Sequence, residues 1–203
     1  TPVHTSFRIG NQLFFIHIVD VDDNMETPGS IEGFISICEK FQCLACLLPV
    51  RKKNNKWTIE NLDWGLIDAK TGDIINPHNL VSDEKLVMSD YEIHQMGVEY
   101  VRDFILKKNL GYDIEGFIID PDIRPSISFH KGDKHCCVLV KVSYDPNPIV
   151  KKEEFQDVLE EMKSTYPNTT VYFAGVHLFG QEQVKKKDKS LPLYRGQGYI
   201  PNF

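Results

Sequence analysis

Asp120, Asp122 and His130 are the residues whose types and spacing come closest to a metal-dependent active site in this sequence. Carboxylate oxygens and an imidazole nitrogen can together bind a divalent cation, and Glu92 or Glu99 from the preceding predicted helix could complete the ligand set. The Asp-Pro-Asp run is also typical of a turn, in which Asp bonds its own backbone and Pro fixes φ. We favour the turn and keep a metal-dependent phosphodiester hydrolase with these relocated ligands as the alternative.

Cysteine spacing offers a second possible metal or redox site. Cys43 and Cys46 are separated by two residues and Cys38 lies upstream, a spacing found in zinc and redox proteins. A complete zinc site needs four ligands, and no further Cys or His pair of suitable spacing lies nearby. The segment 43–50 is almost continuously apolar, so we predict buried structural thiols.

The C-terminal segment combines aromatic and basic residues that could bind nucleic acid. Tyr194, Arg195, Tyr199 and Phe203 follow a lysine-rich run at 184–190, and bases stack on aromatic rings beside cations. Such a tail more often forms an edge strand that packs on its own domain, which is our interpretation. The lysine-rich run is predicted to be a solvated loop.

No spacing in the chain marks a nucleotide cofactor or a catalytic nucleophile. The sequence contains neither the G-x-x-x-x-G-K-[ST] phosphate loop nor the G-x-G-x-x-G fingerprint. The seven histidines are scattered and do not show the paired spacing of metalloprotease motifs. We therefore predict no cofactor and expect no Ser-His-Asp arrangement.

The N-terminal part of the sequence predicts an α/β subdomain of unknown role over 1–80. Two strand-like segments at 6–21 are separated by the turn dipeptide Gly10-Asn11, and Ser30 precedes an amphipathic helix. The apolar run at 43–50 predicts a buried strand that enters a hairpin. A second hairpin is expected across Gly72.

The second part, 84–203, begins with a helix start signal. Ser89 and Glu92 form the S-x-x-E pattern of a capping box, ahead of apolar residues at helical spacing that Gly111 is expected to end. Strands are predicted at 115–120, 125–131, 135–144 and 169–180, with a helix at 151–166 and a short C-terminal tail. The predicted order is helix, three strands, helix, strand. The predicted class is therefore α/β (α+β), a mixed sheet flanked by helices.

This order, and the local spacing over about 89–180, resembles the core of the PD-(D/E)xK nuclease superfamily, the restriction-endonuclease-like αβββαβ fold. In that family a Pro-Asp at the second strand and a (D/E)-x-K on the third place two carboxylates and a lysine around Mg²⁺. Here Pro125-Ser126 stands at the first motif and Leu139-Val140-Lys141 at the second. The resemblance implies a nuclease-like scaffold with a degenerate motif.

The substituted residues change the chemistry that such a site could perform. Mg²⁺ takes hard oxygen ligands, usually one or two carboxylates, and lowers the pKa of the attacking water. Ser126 offers a weak neutral hydroxyl and Leu139 offers no ligand, and Lys141 alone does not replace them. The aligned positions are therefore not expected to hold the metal.

Composition limits the remaining functional classes. The 203 residues are 41% hydrophobic and 26% charged, an ordinary globular balance, and the formal charge of −6 disfavours strong non-specific binding to nucleic acid. No apolar run reaches the ~20 residues of a membrane-spanning helix. No secretory signal is visible, and the odd number of cysteines favours reduced thiols, so a cytoplasmic protein is expected. The chain begins at Thr1 and not at Met, which is compatible with removal of upstream residues.

Three functions are carried forward. The preferred one is a non-catalytic binding or regulatory protein on a degenerate nuclease-like scaffold, with a protein or small-molecule partner. The second is the hydrolase with relocated carboxylates, for which Asp122, Lys141 and Glu99 are the candidate catalytic residues. The third is a scaffold or homo-oligomer component, such as a homodimer, that pairs through exposed strand edges or apolar patches.

Overall fold

The chain divides into two compact units. The computed structural model describes residues 5–22, 29–61, 63–108 and 111–202. The first unit extends to Val87 and includes Tyr194–Gly196; the second consists of Met88–Leu193 and the residues from Gln197 onward. The division lies further along the chain than the sequence-based boundary at 80–84, and three C-terminal residues return to the first unit.

The class is mixed α and β, as the sequence predicts. The described residues form two sheets and four α-helices, and each sheet contains both parallel and antiparallel strand pairs.

The first unit is built around a six-stranded sheet with strand order β1-β2-β3-β5-β6, in which β4 pairs with β3. Strands β2 and β3 are parallel and are connected through α1. Helix α1 starts where the Ser30 hydroxyl accepts a hydrogen bond from the Gly33 backbone N–H at 3.1 Å, and Phe34, Cys38 and Phe41 form its buried face. The elements are β1 Thr5–Ile9, β2 Gln12–Asp20, α1 Ile31–Phe41, β3 Leu44–Lys53, β4 Lys56–Ile59, β5 Leu66–Asp68 and β6 Ile74–Ile75, followed by a 3₁₀ helix at Pro77–Leu80.

The second unit contains a five-stranded sheet with the order β11-β10-β9-β8-β7. Strands β9 and β10 are parallel and all other neighbours are antiparallel. The predicted succession of helix, three strands, helix and strand is confirmed, and α4 and β11 follow it. The elements are α2 Asp90–Lys107, β7 Asp113–Phe117, β8 Ile127–Lys131, β9 Lys134–Tyr144, a 3₁₀ helix at Lys152–Phe155, α3 Gln156–Thr165, β10 Thr169–Gly180, α4 Gln181–Lys186 and β11 Tyr199–Asn202.

Two of the differences between the predicted and the observed elements involve polar segments. Strand β7 ends at Phe117, because after a register shift near Gly116 the chain turns away from β8 over the segment that holds the Asp-Pro-Asp run. The lysine-rich run is not wholly a loop, since α4 includes its first residues. The Gly180 backbone N–H donates to Gln183 Oε1 at 2.6 Å, and this buried side chain stabilises the start of that helix.

The two faces of the second sheet carry separate apolar clusters. Val138 and Val140 pack on one face with residues of α2, including Ile93 and Met96. Alternate residues of β9 point to the opposite face, where Leu139 packs with residues of α3. The side of β9 on which a residue lies therefore decides which helix covers it.

Among the helices in the part of the chain that the structure describes, none has the length and apolar character that a membrane crossing requires.

Candidate functional site

Ser126 lies at the start of β8 with its hydroxyl committed to the neighbouring strand. The side chain is 2% exposed, and Oγ accepts a hydrogen bond from the Val140 backbone N–H at 3.1 Å. The Ser126 backbone N–H donates to the Val138 carbonyl at 3.0 Å. The residue at the first motif position thus holds β8 against β9.

Leu139 is part of the hydrophobic core between β9 and α3. It is 1% exposed and packs with Cys137, Leu159 and Met162. A carboxylate at this position would be desolvated by apolar side chains, and a buried unpaired charge costs several kcal/mol, on the order of 5. The second motif position therefore serves packing.

Lys141 lies two residues further along β9, on the same face as Leu139. Its Nζ donates to the Pro121 carbonyl at 3.5 Å and stands 5.6 Å from the centroid of the Phe155 ring. Burial lowers the pKa of Lys141 below its ordinary value, and the neighbouring Arg124 lowers it further, while Asp122 opposes both. Lys141 is thus a half-buried cation beside a turn that carries carboxylates.

That turn is formed by the Asp-Pro-Asp run. Asp120 Oδ1 accepts a hydrogen bond from the Asp122 backbone N–H at 2.9 Å, which is the self-bonding geometry that the sequence suggests. The Asp122 carboxylate also accepts a hydrogen bond from the Tyr91 hydroxyl at 3.3 Å. The turn therefore places Asp122 between α2 and the Lys141 ammonium group.

His94 lies near Lys141 and the Asp-Pro-Asp turn, although no spacing in the sequence predicts it. It lies in the first turns of α2 and is 5% exposed, and its Nε2 atom makes no hydrogen bond to the described residues. Burial lowers the pKa of His94 to about 4; Lys141 lowers it as well, while Asp120 and Asp122 act in the opposite direction. His94 thus lies within electrostatic reach of Lys141, Asp120 and Asp122, and we call these four residues the first polar cluster.

Glu99 and His130 do not join this cluster. Glu99 Oε1 accepts a hydrogen bond from Gln95 on its own helix at 2.8 Å. His130 lies at the hairpin end of β8, where it faces His135 and its Nδ1 is 3.3 Å from the Gly132 carbonyl. Within the described ranges, no three His, Cys, Asp or Glu side chains are arranged to hold a metal ion, so Asp120, Asp122 and His130 are not brought together.

The cysteines are free thiols, and those of the two-residue spacing lie at the start of β3. Cys38 and Cys46 are buried, and Cys43 is half-buried. Burial raises the pKa of Cys46 to about 12, whereas a redox or metal-binding thiolate needs a lowered pKa.

The C-terminal aromatic and basic residues are dispersed. Tyr199 belongs to β11, which is the edge strand that the sequence suggests and pairs with β10. Arg195 is 8% exposed and its guanidinium donates to the Phe41 carbonyl at 2.8 Å within the first unit. Tyr194 lies beneath the Lys85 ammonium group, 5.5 Å from it. Phe203 lies outside the described residues.

A second polar cluster occurs at the carboxyl ends of the parallel strands β9 and β10, and it is a Ser-His-Asp arrangement, which the sequence analysis wrongly expected to be absent. Ser143 and His177 are register partners, and Ser143 Oγ lies 2.7 Å from His177 Nδ1. His177 Nε2 lies 3.3 Å from Asp145 Oδ1, and all three residues are at most 6% exposed. We call this set the Ser143 chain. Its only possible sequence signal is the pairing of two strands, because 34 residues separate the serine from the histidine.

A cavity of about 290 Å³ adjoins the Ser143 chain. Asp145 and His177 line it, and Lys189 reaches it from the segment after α4. The Lys189 ammonium nitrogen lies 3.6 Å from Asp145 Oδ2. The other walls are Pro146, Asn147, Pro148, Ile149 and Phe179. Ser143 does not line the cavity, so its hydroxyl is not placed to attack a molecule bound there.

Comparison with known proteins gives one family match. A family model described as Domain of unknown function (DUF8840) matches residues 91–203. The matched range contains both polar clusters. The comparisons with curated proteins and with solved structures found no match.

Proposed function

The chain belongs to the family of the domain of unknown function DUF8840, and from that premise we propose that it is a non-catalytic binding protein on a degenerate nuclease-like scaffold. The observation that carries the proposal is the set of contacts that Ser126 and Leu139 make. The Ser126 hydroxyl bonds the backbone of β9, and Leu139 is enclosed by α3.

The arrangement of the second unit supports the scaffold part of the proposal. Helix α2, strands β7 to β9, helix α3 and strand β10 follow one another in the αβββαβ order, with β9 and β10 parallel. Lys141 stands at the position that the motif assigns to its lysine. Fold alone does not establish function, so the function is inferred from the side chains at the site.

The chemistry of those side chains supports the non-catalytic part. Phosphodiester hydrolysis in this nuclease class requires a metal ion that activates water and stabilises developing charge. Neither Ser126 nor Leu139 supplies an anionic oxygen, and the nearby Asp120 and Asp122 carboxylates are engaged by a backbone N–H and a tyrosine hydroxyl. What remains is a surface that binds a protein or a small molecule.

Titration calorimetry with Mg²⁺ and Mn²⁺, combined with a plasmid-nicking assay, tests the proposal. We expect no saturable site at metal concentrations up to about 1 mM and no cleavage, because among the described residues no three His, Cys, Asp or Glu side chains are arranged to hold a metal ion. One bound ion per chain together with cleavage that is lost in Asp122→Ala would overturn the proposal in favour of the relocated-ligand hydrolase.

A further inference from the structure

We infer that the cavity beside the Ser143 chain is a binding site for a primary alkylammonium group. This site lies apart from the degenerate motif and goes beyond the proposed function. It is carried by the cavity, the buried carboxylate that lines it and the lysine that already contacts that carboxylate.

The hydrogen bonds leave one oxygen of Asp145 directed away from the Ser143 chain. A carboxylate only accepts hydrogen bonds, so His177 Nε2 must carry the proton that it shares with Asp145 Oδ1, and Ser143 donates to Nδ1. The second oxygen, Oδ2, is the one nearest Lys189. The Ser143 chain thus fixes the orientation of the Asp145 carboxylate and leaves Oδ2 as the single acceptor for a cation.

Asp145 needs a cation because its side chain is 8% exposed. A buried carboxylate is costly unless it is paired and hydrogen-bonded, and His177 supplies a hydrogen bond. Lys189 supplies a positive charge, but its side chain is 75% exposed and its contact is 3.6 Å long. The lysine end of this pair is solvated and is held by one long contact, so a ligand with the same group can displace it.

The geometry favours an ammonium group over a guanidinium. Arginine-type groups bind carboxylates most strongly through two parallel hydrogen bonds, which need both oxygens. Oδ1 is occupied by His177, so only a single point contact is available at Oδ2. A compact ammonium group on a flexible stem suits that contact.

The cavity walls suit an alkyl stem. Pro146, Pro148, Ile149 and Phe179 provide apolar surface next to the carboxylate. The volume of about 290 Å³ accommodates a chain of several methylene groups and lies at the small end of ligand sites, which begin at roughly 300 Å³. The ligand is therefore either a small free amine or a lysine side chain of a protein partner. The net charge of −6 attracts a cationic group from either source.

The test is an NMR titration of the ¹⁵N-labelled chain with n-butylammonium, n-butanol, n-butylguanidinium and n-butyrate. We expect saturable shifts at cavity residues with n-butylammonium, with a Kd on the order of millimolar for so small a ligand. n-Butylguanidinium should bind more weakly and the neutral and anionic analogues should not saturate. Equal binding of n-butanol, or tighter binding of n-butyrate, would overturn the inference.

Two lysine variants with the same change of net charge sharpen the test. Lys189→Ala removes the internal competitor and should tighten n-butylammonium binding about two- to fivefold, the range that a weak exposed ion pair implies. Lys185→Ala is the matched control, since Lys185 is exposed and does not line the cavity. Equal affinities of the two variants would contradict displacement of Lys189.

Asp145→Asn tests the carboxylate itself. An amide oxygen still accepts the hydrogen bond of His177, so the fold is expected to persist while the preference for ammonium over alcohol disappears. A retained preference would overturn the site. If this variant does not fold, the comparison of Lys189→Ala with Lys185→Ala decides the matter, because both changes are on exposed side chains.

Two further ligands separate the sources of the ammonium group. A blocked Gly-Lys-Gly peptide that binds more tightly than n-butylammonium, while its acetyl-lysine form does not bind, supports the site and indicates a protein partner. Binding of n-butylammonium alone supports the site for a free amine. Failure of both ligands would overturn the site without affecting the metal titration that tests the proposed function.

Discussion

Ser126 and Ser143 are buried serines of the same sheet, and their hydroxyl groups have different partners. Ser126 is bonded to the backbone of β9, in a region where α3 covers the neighbouring Leu139. Ser143 is bonded to His177, which is bonded in turn to a carboxylate beside a cavity. The first serine completes packing and the second begins a polar chain.

The position of each residue along β9 explains the contrast. The middle of the strand lies under α3, where a charged ligand would be surrounded by Leu159 and Met162. The carboxyl end lies where parallel β9 and β10 stop and the connecting segment leaves the sheet. Side chains at such strand ends collect around crevices, which is why ligand sites recur there. Leu139 and Lys141, the positions on which the proposed resemblance rests, therefore lie in one part of the strand, while the polar groups around a cavity lie at another.

The largest expected effect comes from placing a carboxylate in the packed region. Leu139→Glu should destabilise the fold by more than about 4 kcal/mol, because it buries a charge in an apolar cluster and removes packing. Urea unfolding followed by circular dichroism measures the change. Leu106→Glu is the control: this leucine is 50% exposed, and its replacement should change stability by less than about 0.5 kcal/mol.

A stable Leu139→Glu variant that gains a Mn²⁺ site would show that the motif position is open to ligands. The contrast between the middle of β9 and its end would then fail. The non-catalytic proposal would stand, because Leu139 of the original chain supplies no ligand.

The next effect is a pH dependence carried by His94. Its folded pKa of about 4 lies below the ordinary 6.5, so the stability that its neutral form provides is present above pH 6.5 and is lost as pH falls toward 4. The loss is at most about 3 kcal/mol, by the conversion of about 1.4 kcal/mol per pKa unit. Unfolding free energies measured from pH 7 to 4 should fall less steeply in His94→Gln than in the original chain.

The charged groups near His94 act on its pKa in opposite directions. The direction of the pH effect on stability therefore shows which of them dominates. Lys141 lowers its pKa together with burial, whereas Asp120 and Asp122 raise it, and the balance remains on the side of neutral imidazole. Parallel pH profiles for the two chains would mean that folding leaves the pKa of His94 unchanged, and a steeper fall in His94→Gln than in the original chain would mean that contact with the carboxylates raises it. The cluster would then be an ion-paired site and not a buried neutral one.

The elements of the fold were predictable because their signals are local. Ser30 and Ser89 cap the helices α1 and α2 as their spacing predicts, and the turn at Gly10 separates β1 from β2. The prediction of the apolar face of α2 was less accurate, because Phe104 is 36% exposed whereas the polar His94 is buried. Helical periodicity predicts which face of α2 is apolar. It does not predict that Lys141 and the Asp-Pro-Asp turn lie near His94.

The sites were less predictable because they depend on register. Lys141, Asp120 and Asp122 were identified from sequence and do lie near one another, since the turn that holds the aspartates leads into β8, and β8 pairs with β9, which carries Lys141. The Ser143 chain requires β10 to lie parallel to β9 in one register, which sets His177 beside Ser143. No spacing of residues along the sequence predicts that strand register.

A moderate effect tests whether the Ser143 chain behaves as a unit. Ser143→Ala leaves His177 Nδ1 buried without a donor and should cost about 1 to 3 kcal/mol. Combined with Asp145→Ala, the loss should be smaller than the sum of the single losses, because both residues act on one imidazole. Ser126→Ala with Asp145→Ala is the matched pair and should be additive, since these residues bond different groups. Additivity in both pairs would contradict a coupled chain.

The smallest effect concerns the lysine of the motif. Arg124 forms an exposed ion pair with Glu161 at 3.0 Å, so Arg124→Ala should change stability by less than about 1 kcal/mol. It should nevertheless raise the pKa of Lys141 part of the way to its ordinary value, because Arg124 lowers that pKa while burial, the larger cause, remains. NMR titration of the lysine side-chain signals measures the shift. Lys163→Ala, which removes a similar ion pair with Glu160, should leave Lys141 unchanged, and equal titration curves for the two variants would show that Arg124 does not act on the motif lysine.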